Sequence, residues 1–299
     1  MATTIPAALK NNIIAQSALN QFVSMLAPLS AFSTSYNDDA AQKGTTITIP
    51  TLSTTSDATA FSGTYTDQAT TYGSTQIALD QHLFTTWTLT DTDVAESSAV
   101  ELERFGYQKG GDIAKAVFQN ILGEVLVANY PDAAGFTGAG SDFDGDDVAD
   151  LRGDMTAEGI DPGQCSLVIG NDYWTGLLKD TNINGAINYG SADIIREGRV
   201  PSLFGVGSLY ESTAIPANGE NLVGFIAHPT AMAVAMRYLQ PNNSQEYISA
   251  KRLTDPATGI VLGYREFYTP STGVQTAVLE CVFGKQVALS GSLRRMISA

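Results

Sequence analysis

The sequence predicts an α+β protein, and three observations carry that prediction. Residues 44–90 alternate polar and apolar side chains in a Thr-rich run, residues 113–126 repeat apolar side chains at helical spacing, and residues 248–289 return to alternation. A chain of 299 residues is long enough for one large domain or two modest ones.

Charge and composition exclude several classes. Sixteen Lys and Arg stand against 31 Asp and Glu, a formal charge of −15. That balance argues against a protein that reads nucleic acid by neutralising phosphates, and against attachment to an anionic membrane through basic patches. Two cysteines, Cys165 and Cys281, cannot build a disulfide framework, and with two histidines they are too few for a typical zinc cluster. Residues 1–10 lack the cationic start and apolar core of a secretory signal. The longest apolar runs, such as 231–236, fall far short of the roughly 20 residues that span a bilayer. The expectation is a soluble protein made in a reducing cytoplasm.

The first element is a hairpin. Residues 44–103 hold no Lys or Arg and eight acids, and 17 threonines fall between residues 44 and 93, a composition suited to strand surfaces. Residues 45–50 alternate and stop at Pro50; residues 52–74 are rich in Ser, Thr and Gly, with Phe61, Tyr65 and Tyr72 spaced along them. Residues 76–90 alternate again, with Ile77, Leu79, Leu83, Trp87 and Leu89 as expected buried positions. Two arms of about twenty residues would reach on the order of 60 Å, and an isolated two-stranded ribbon is marginal in water, so the arm calls for a neighbouring subunit. The alternative is two ordinary sheet strands joined by a long surface loop.

Asp91-Thr92-Asp93 reads as a helix start. Ile113, Val117, Ile121 and Val125 then run beside Ala114, Phe118, Leu122 and Leu126 as a two-column apolar stripe, ended by Pro131. Residues 130–163 carry nine acids against the single Arg152. Within them Asp142, Asp144, Asp146 and Asp150 alternate like the oxygen ligands of a calcium loop. The turn glycine sits at the fourth place instead of the sixth, and Gly153 stands where a bidentate glutamate belongs. A solvated acidic loop is the other reading.

Residues 165–169 read as a buried strand, and residues 172–179 as a helix capped by Asn171. Residues 222–227 read as a further strand, and residues 230–237 as a short helix opened by His228-Pro229. Residues 248–253, 260–268, 273–283 and 285–289 alternate like an antiparallel sheet. No nucleophile elbow, metalloprotease motif, P-loop or complete dinucleotide fingerprint occurs. His82 and His228 therefore read as structural, and Cys165 and Cys281 as small buried hydrophobes. No catalytic residue and no cofactor is expected.

The order of these parts resembles the major capsid protein of tailed bacteriophages, a shell fold shared with herpesviruses. The resemblance is carried by Val168-Ile169-Gly170-Asn171-Asp172-Tyr173-Trp174 and its continuation to Asp180, by Tyr189-Gly190-Ser191 with Ile195-Arg196-Glu197-Gly198, by Leu209-Tyr210-Glu211-Ser212 with Ile215-Pro216, and by residues 228–235. It implies an N-terminal arm (1–43), an extended β-hairpin loop (44–90), a peripheral domain with a long spine helix and β-sheet (91–131 and 239–299), and an axial α/β domain (132–238). It implies a shell subunit that assembles with itself through pentamers and hexamers in the host cytoplasm and ends in the virion head. Phe61, Tyr65, Tyr72 and Trp87 become candidate interface anchors. Packaged DNA would meet an acidic wall and bind only weakly, with Arg294, Arg295, Lys109 and Lys115 as the available cations.

Some members of that family crosslink through a lysine of the extended loop. No lysine lies between Lys43 and Lys109, so no such bond is expected here. No helix-rich fused scaffold is visible, which implies a separate scaffolding protein, with a portal and a decoration protein as further partners. Two other readings stand beside this one: a tube- or sheet-forming phage or surface-layer subunit, and an acidic calcium-dependent hydrolase or carbohydrate binder.

Overall fold

The computed structural model describes residues 7–34, 46–54, 60–65, 70–92, 99–180, 183, 203–242, 247–255 and 259–299. Two helices, α1 (Ala7–Met25) and α2 (Ala99–Leu122), pack side by side. The α1 stretch, read from the sequence as part of an arm, buries Ile14, Ala18 and Phe22 in the same core as Ile113, Val117, Phe118 and Ile121 of α2. Their backbones come together where α2 has Gly106 and Gly110, against Ile14 and Ala18. The apolar stripe of α2 continues past its end at Leu122 into a turn that still buries Val125.

Strands β1 (Thr46–Thr54) and β2 (Thr70–Ala78) form a two-stranded antiparallel ribbon with Thr46 opposite Ala78 and Thr54 opposite Thr70. The expected strand 76–90 is therefore broken after Ala78, and its second part, β3 (Gln81–Thr90), leaves the hairpin. Nine paired residues span about 30 Å, half of the reach expected from the sequence. Strand β1 also runs through Pro50, where the sequence reading stopped it. In a two-stranded ribbon β1 is an edge, so a residue without an N–H is tolerated.

Two sheets follow. In the first, β3, β11 (Val274–Val287), β10 (Val261–Thr269) and β9 (Ser249–Thr254) lie in that order, all antiparallel, and β8 (Met232–Arg237) pairs with the far end of β11. In the second, β4 (Phe136–Thr137), β12 (Leu293–Ile297), β7 (Leu222–Ala227), β5 (Ser166–Ile169) and β6 (Ser208–Glu211) lie in that order. Beside it pack α3 (Gly145–Ala157) and α4 (Asn171–Lys179), which bury Val148, Leu151, Met155, Trp174 and Leu177. Helix α4 starts at Asn171, but its cap is Gly170, with no side-chain bond.

The expected helix 230–237 is strand β8. Met232, Ala233, Val234, Ala235 and Met236 are all buried. Met and Ala favour helices, but pairing with β11 on one edge and burial of both faces outweigh a propensity of tenths of a kcal/mol. Sequence periodicity fails here because a strand covered on both faces shows no alternation. Cys165 and Cys281 are free and buried, as expected. No helix of the described residues is long and apolar enough to cross a membrane.

Candidate functional site

The ribbon is anchored at one end and bare at the other. At its base Ile47, Ile49, Ile77 and Leu79 form a small core with Ala233 and Ala235 of β8. Gly284 of β11 lets this base approach closely, since a Cβ there would overlap the carbonyl of Ala78. At the far end Phe61 and Tyr65 are 63% and 90% exposed, with ring centroids 4.7 Å apart and planes tilted by 39°. Apolar surface of this kind, held away from the body, lowers its free energy by covering itself. Tyr72 pairs through its backbone with Leu52; its side chain lies outside the described residues.

Trp87 is not a surface anchor. It is 7% exposed, within the main core, with its ring 6.3 Å from that of Tyr264. Period two explains this: Trp87 is in phase with Leu83 and Leu89 on the helix-facing side of β3, whereas Phe84 is out of phase and 65% exposed. The sequence reading passed over Phe84, although the same alternation marks it.

The acidic segment opens a helix. Asp144 caps α3: its carboxylate accepts from the amides of Asp146 at 2.9 Å and Asp147 at 3.3 Å, and the Asp147 carboxylate accepts from the Asp144 amide at 3.0 Å. This reciprocal capping box starts a helix where the sequence reading saw a loop. Asp142, Asp144, Asp146 and Asp150 are exposed, and among the described residues no group of three or more His, Cys, Asp or Glu side chains could hold a metal. Partial burial, with like charge from Asp144, Asp150 and Asp146, pushes the Asp147 carboxyl up against the pull of its backbone bond.

The expected cationic spot is internal. Arg294 and Arg295 on β12 are 7% and 6% exposed. Arg294 bonds Asp132 at 2.5 Å and Glu158 at 2.7 Å, tying the turn before β4 and the end of α3 to the sheet. Arg295 bonds Glu220 at 2.8 Å, and Glu220 also accepts the amide of Val127. Neither guanidinium is available to DNA. Lys109 pairs with Asp112 at 3.9 Å on the surface of α2, and Lys115 is exposed on the same helix.

The two histidines stay apart. His82 Nε2 lies 3.2 Å from Glu280, which also pairs with Arg265 at 2.6 Å. His228 Nδ1 lies 2.8 Å from the Thr230 hydroxyl, and burial lowers its pKa against an opposing pull from Asp161. The Thr230 amide also donates to His228 Nδ1 at 3.3 Å and the Thr230 hydroxyl lies 3.1 Å from that of Ser292, so His228 closes a local turn after β7. An open cavity of about 310 Å³ beside α4 is lined by Asn171, Asp172, Tyr173, Ser212 and Thr213; Asp172 is its only charged group, so it brings no acid–base pair together.

No protein-family model matches the sequence, and no curated protein matches it. The fold does find counterparts. A chain from Mycobacterium phage Che8 superimposes with a TM-score of 0.60 at 14% identity, covering 90% of each chain. A chain of the capsid structure of cyanophage P-SCSP1u gives 0.56 at 16% identity over 86% of this chain and 84% of that one. A chain of a virus-like particle from Pyrococcus furiosus gives 0.52 at 11% identity over 95% and 97%. At these identities the likeness concerns architecture, and it spans nearly the whole chain: this is the α+β shell fold of tailed-phage capsids.

Proposed function

We propose that this protein is a major capsid subunit, a structural protein without catalytic activity, that assembles with itself through pentamers and hexamers into an icosahedral head enclosing double-stranded DNA. The observation that carries the proposal is the ribbon with its base packed against β8 and its aromatic tip bare, in a chain most of whose length follows a capsid fold. Phe61 and Tyr65 are the anchors that a neighbouring copy covers, with Phe84 on the exposed face of β3 as a further contact. In this reading α2 with the β3-β11-β10-β9 sheet is the peripheral part, and the β4-β12-β7-β5-β6 sheet with α3 and α4 is the axial part. Many modest contacts repeated around each ring add up to a stable shell. A net charge of −15 keeps packaged DNA from adhering to its container. A separate scaffolding protein, a portal and a decoration protein complete the partner set.

Negative-stain electron microscopy of the purified protein, with and without lysate from infected cells, tests this reading. Closed icosahedral particles, or rings of five and six, are expected. Open tubes or flat arrays would replace it with the other structural reading, and a monomer that persists with scaffold supplied would overturn it.

A further inference from the structure

A row of polar side chains crosses the buried face of the β3-β11-β10-β9 sheet. Trp87 on β3 lies opposite Ala277 on β11, Ala277 opposite Glu266 on β10, and Glu266 opposite Ser249 on β9. Residues opposite one another across strands share a face, and this face is the one that carries Tyr264 and Leu279 into the core with α1 and α2. Ala277 is small, so the indole of Trp87 leans over it to reach Tyr264. Three atoms of this row are buried without a hydrogen-bond partner: Trp87 Nε1, Ser249 Oγ and Glu266 Oε1. Glu266 is fully buried, at 0% exposure, and among the described residues its one side-chain hydrogen bond is from the Tyr264 hydroxyl at 3.2 Å.

A buried carboxylate with one hydrogen bond is costly, and a neutral carboxyl in the same place is not. Among the described residues the charged and titratable groups around it are few. Tyr264 and Tyr268 flank it on β10, with Tyr268 donating to Asp91 at 2.9 Å, and Lys251 lies two residues from Ser249 on β9. From β3 and β11 come Trp87 and Ala277, and the helices above contribute apolar side chains such as Ile14, Phe22 and Val117.

We propose that Glu266 is a buried acid held neutral by the fold, and that its ionisation loosens the β9–β10 end of this sheet from the helix pair, so that this contact is weaker in alkaline than in acidic solution. Burial pushes the carboxyl up to about 7, against smaller opposing pulls from the Tyr264 hydroxyl and Lys251. An acid raised above its unfolded value favours the folded state fully below that unfolded value and loses the advantage as pH rises through the folded one.

The test is amide hydrogen exchange of the full chain between pH 5 and 8.5, read as the ratio of wild type to Glu266→Gln at the β9 and β10 amides. Using one ratio at each pH cancels the intrinsic pH dependence of exchange. The ratio is expected to climb by about tenfold per pH unit up to pH 7, on the order of a hundredfold in all, and then level off. A second variant, Tyr264→Phe, removes a bond that favours the anion and moves the levelling-off to higher pH; its exchange, taken as a ratio to wild type, is expected to be flat up to about pH 7 and to climb above it, which keeps the question open to experiment should the glutamine variant fail to fold. A wild-type-to-glutamine ratio that stays flat with pH, or a Tyr264→Phe-to-wild-type ratio that does not climb above pH 7, would overturn the proposal.

Discussion

Gly110 of α2 and Ala18 of α1 meet backbone to backbone: a Cβ at Gly110 would overlap the carbonyl oxygen of Ala18, and Gly106 stands in the same relation to Ile14 one turn earlier. Glycine weakens an isolated helix by about 1 kcal/mol relative to alanine. Here the close approach of two helices outweighs that loss. Gly110→Ala is expected to lower stability by about 1–3 kcal/mol through overpacking, read as a drop in the urea midpoint. Gly153 in α3 has open space around it, so Gly153→Ala is expected to raise stability by about 0.5–1 kcal/mol. Opposite signs from one substitution type in two helices distinguish packing from propensity.

Arg294 bridges Asp132 and Glu158 from a buried position. Arg294→Met leaves two carboxylates facing each other without their cation, at an expected cost of about 2–4 kcal/mol. Denaturant unfolding checks the magnitude. Since the guanidinium faces inward, salt-dependent retention on a DNA column is expected to be unchanged while the variant remains folded.

The aromatic pair at the ribbon tip separates folding from association. Phe61→Ala and Tyr65→Ala remove side chains that touch each other but not the core, so the thermal midpoint of the isolated subunit is expected to move by no more than the equivalent of about 0.5 kcal/mol. Under the capsid reading the same variants lose assembly, measured as disappearance of fast-sedimenting particles.

Asp144→Ala deletes a cap and not a ligand. A loss of about 1 kcal/mol is expected, and addition of millimolar calcium is expected to leave the melting temperature of wild type and variant alike. A calcium-dependent rise confined to the wild type would restore the metal reading of this segment.

Burial pushes the Cys165 thiol up to about 11 and the Cys281 thiol up to about 12, with like charge from Asp161 and Glu280 adding to the effect. Both thiols are expected to resist a colorimetric disulfide reagent at pH 8 until denaturant exposes them. Prompt labelling of the folded chain would show that the structure around one of the two thiols opens readily.

Much of the fold was legible where one face of an element is buried. Strands β9 and β10 came within a residue of their expected bounds, since half-buried strands write their pattern into the sequence. Strand β7 fell at its expected bounds, and the expected strands 273–283 and 285–289 are one strand, β11, whose single run pairs with β3 and β10 at one end and β8 at the other. Met232 to Arg237 did not match its expected helix, because covering both faces erases that pattern. The break after Ala78 was also hidden: β2 and β3 are both Thr-rich and alternate in similar phase, and only pairing with different partners separates them. At the candidate site the exposure of Phe61 and Tyr65 followed from a polar, turn-rich stretch with isolated aromatics. Trp87 was misplaced by grouping aromatics by type instead of by phase. The inward turn of Arg294 and Arg295 could not be read from a local window, because Asp132, Glu158 and Glu220 lie 75 to 163 residues away in the chain.

Among the described residues β11 is the strand that pairs with both β3 and β8, and β12 lies between β4 and β7 in the second sheet. Synthesis on the ribosome runs from the other end. Strands β3 and β8, and the halves of the second sheet, are therefore made before residues 274–297, which join them. Until those residues fold in, the chain carries open strand edges, and neither sheet presents its finished surface to a neighbour.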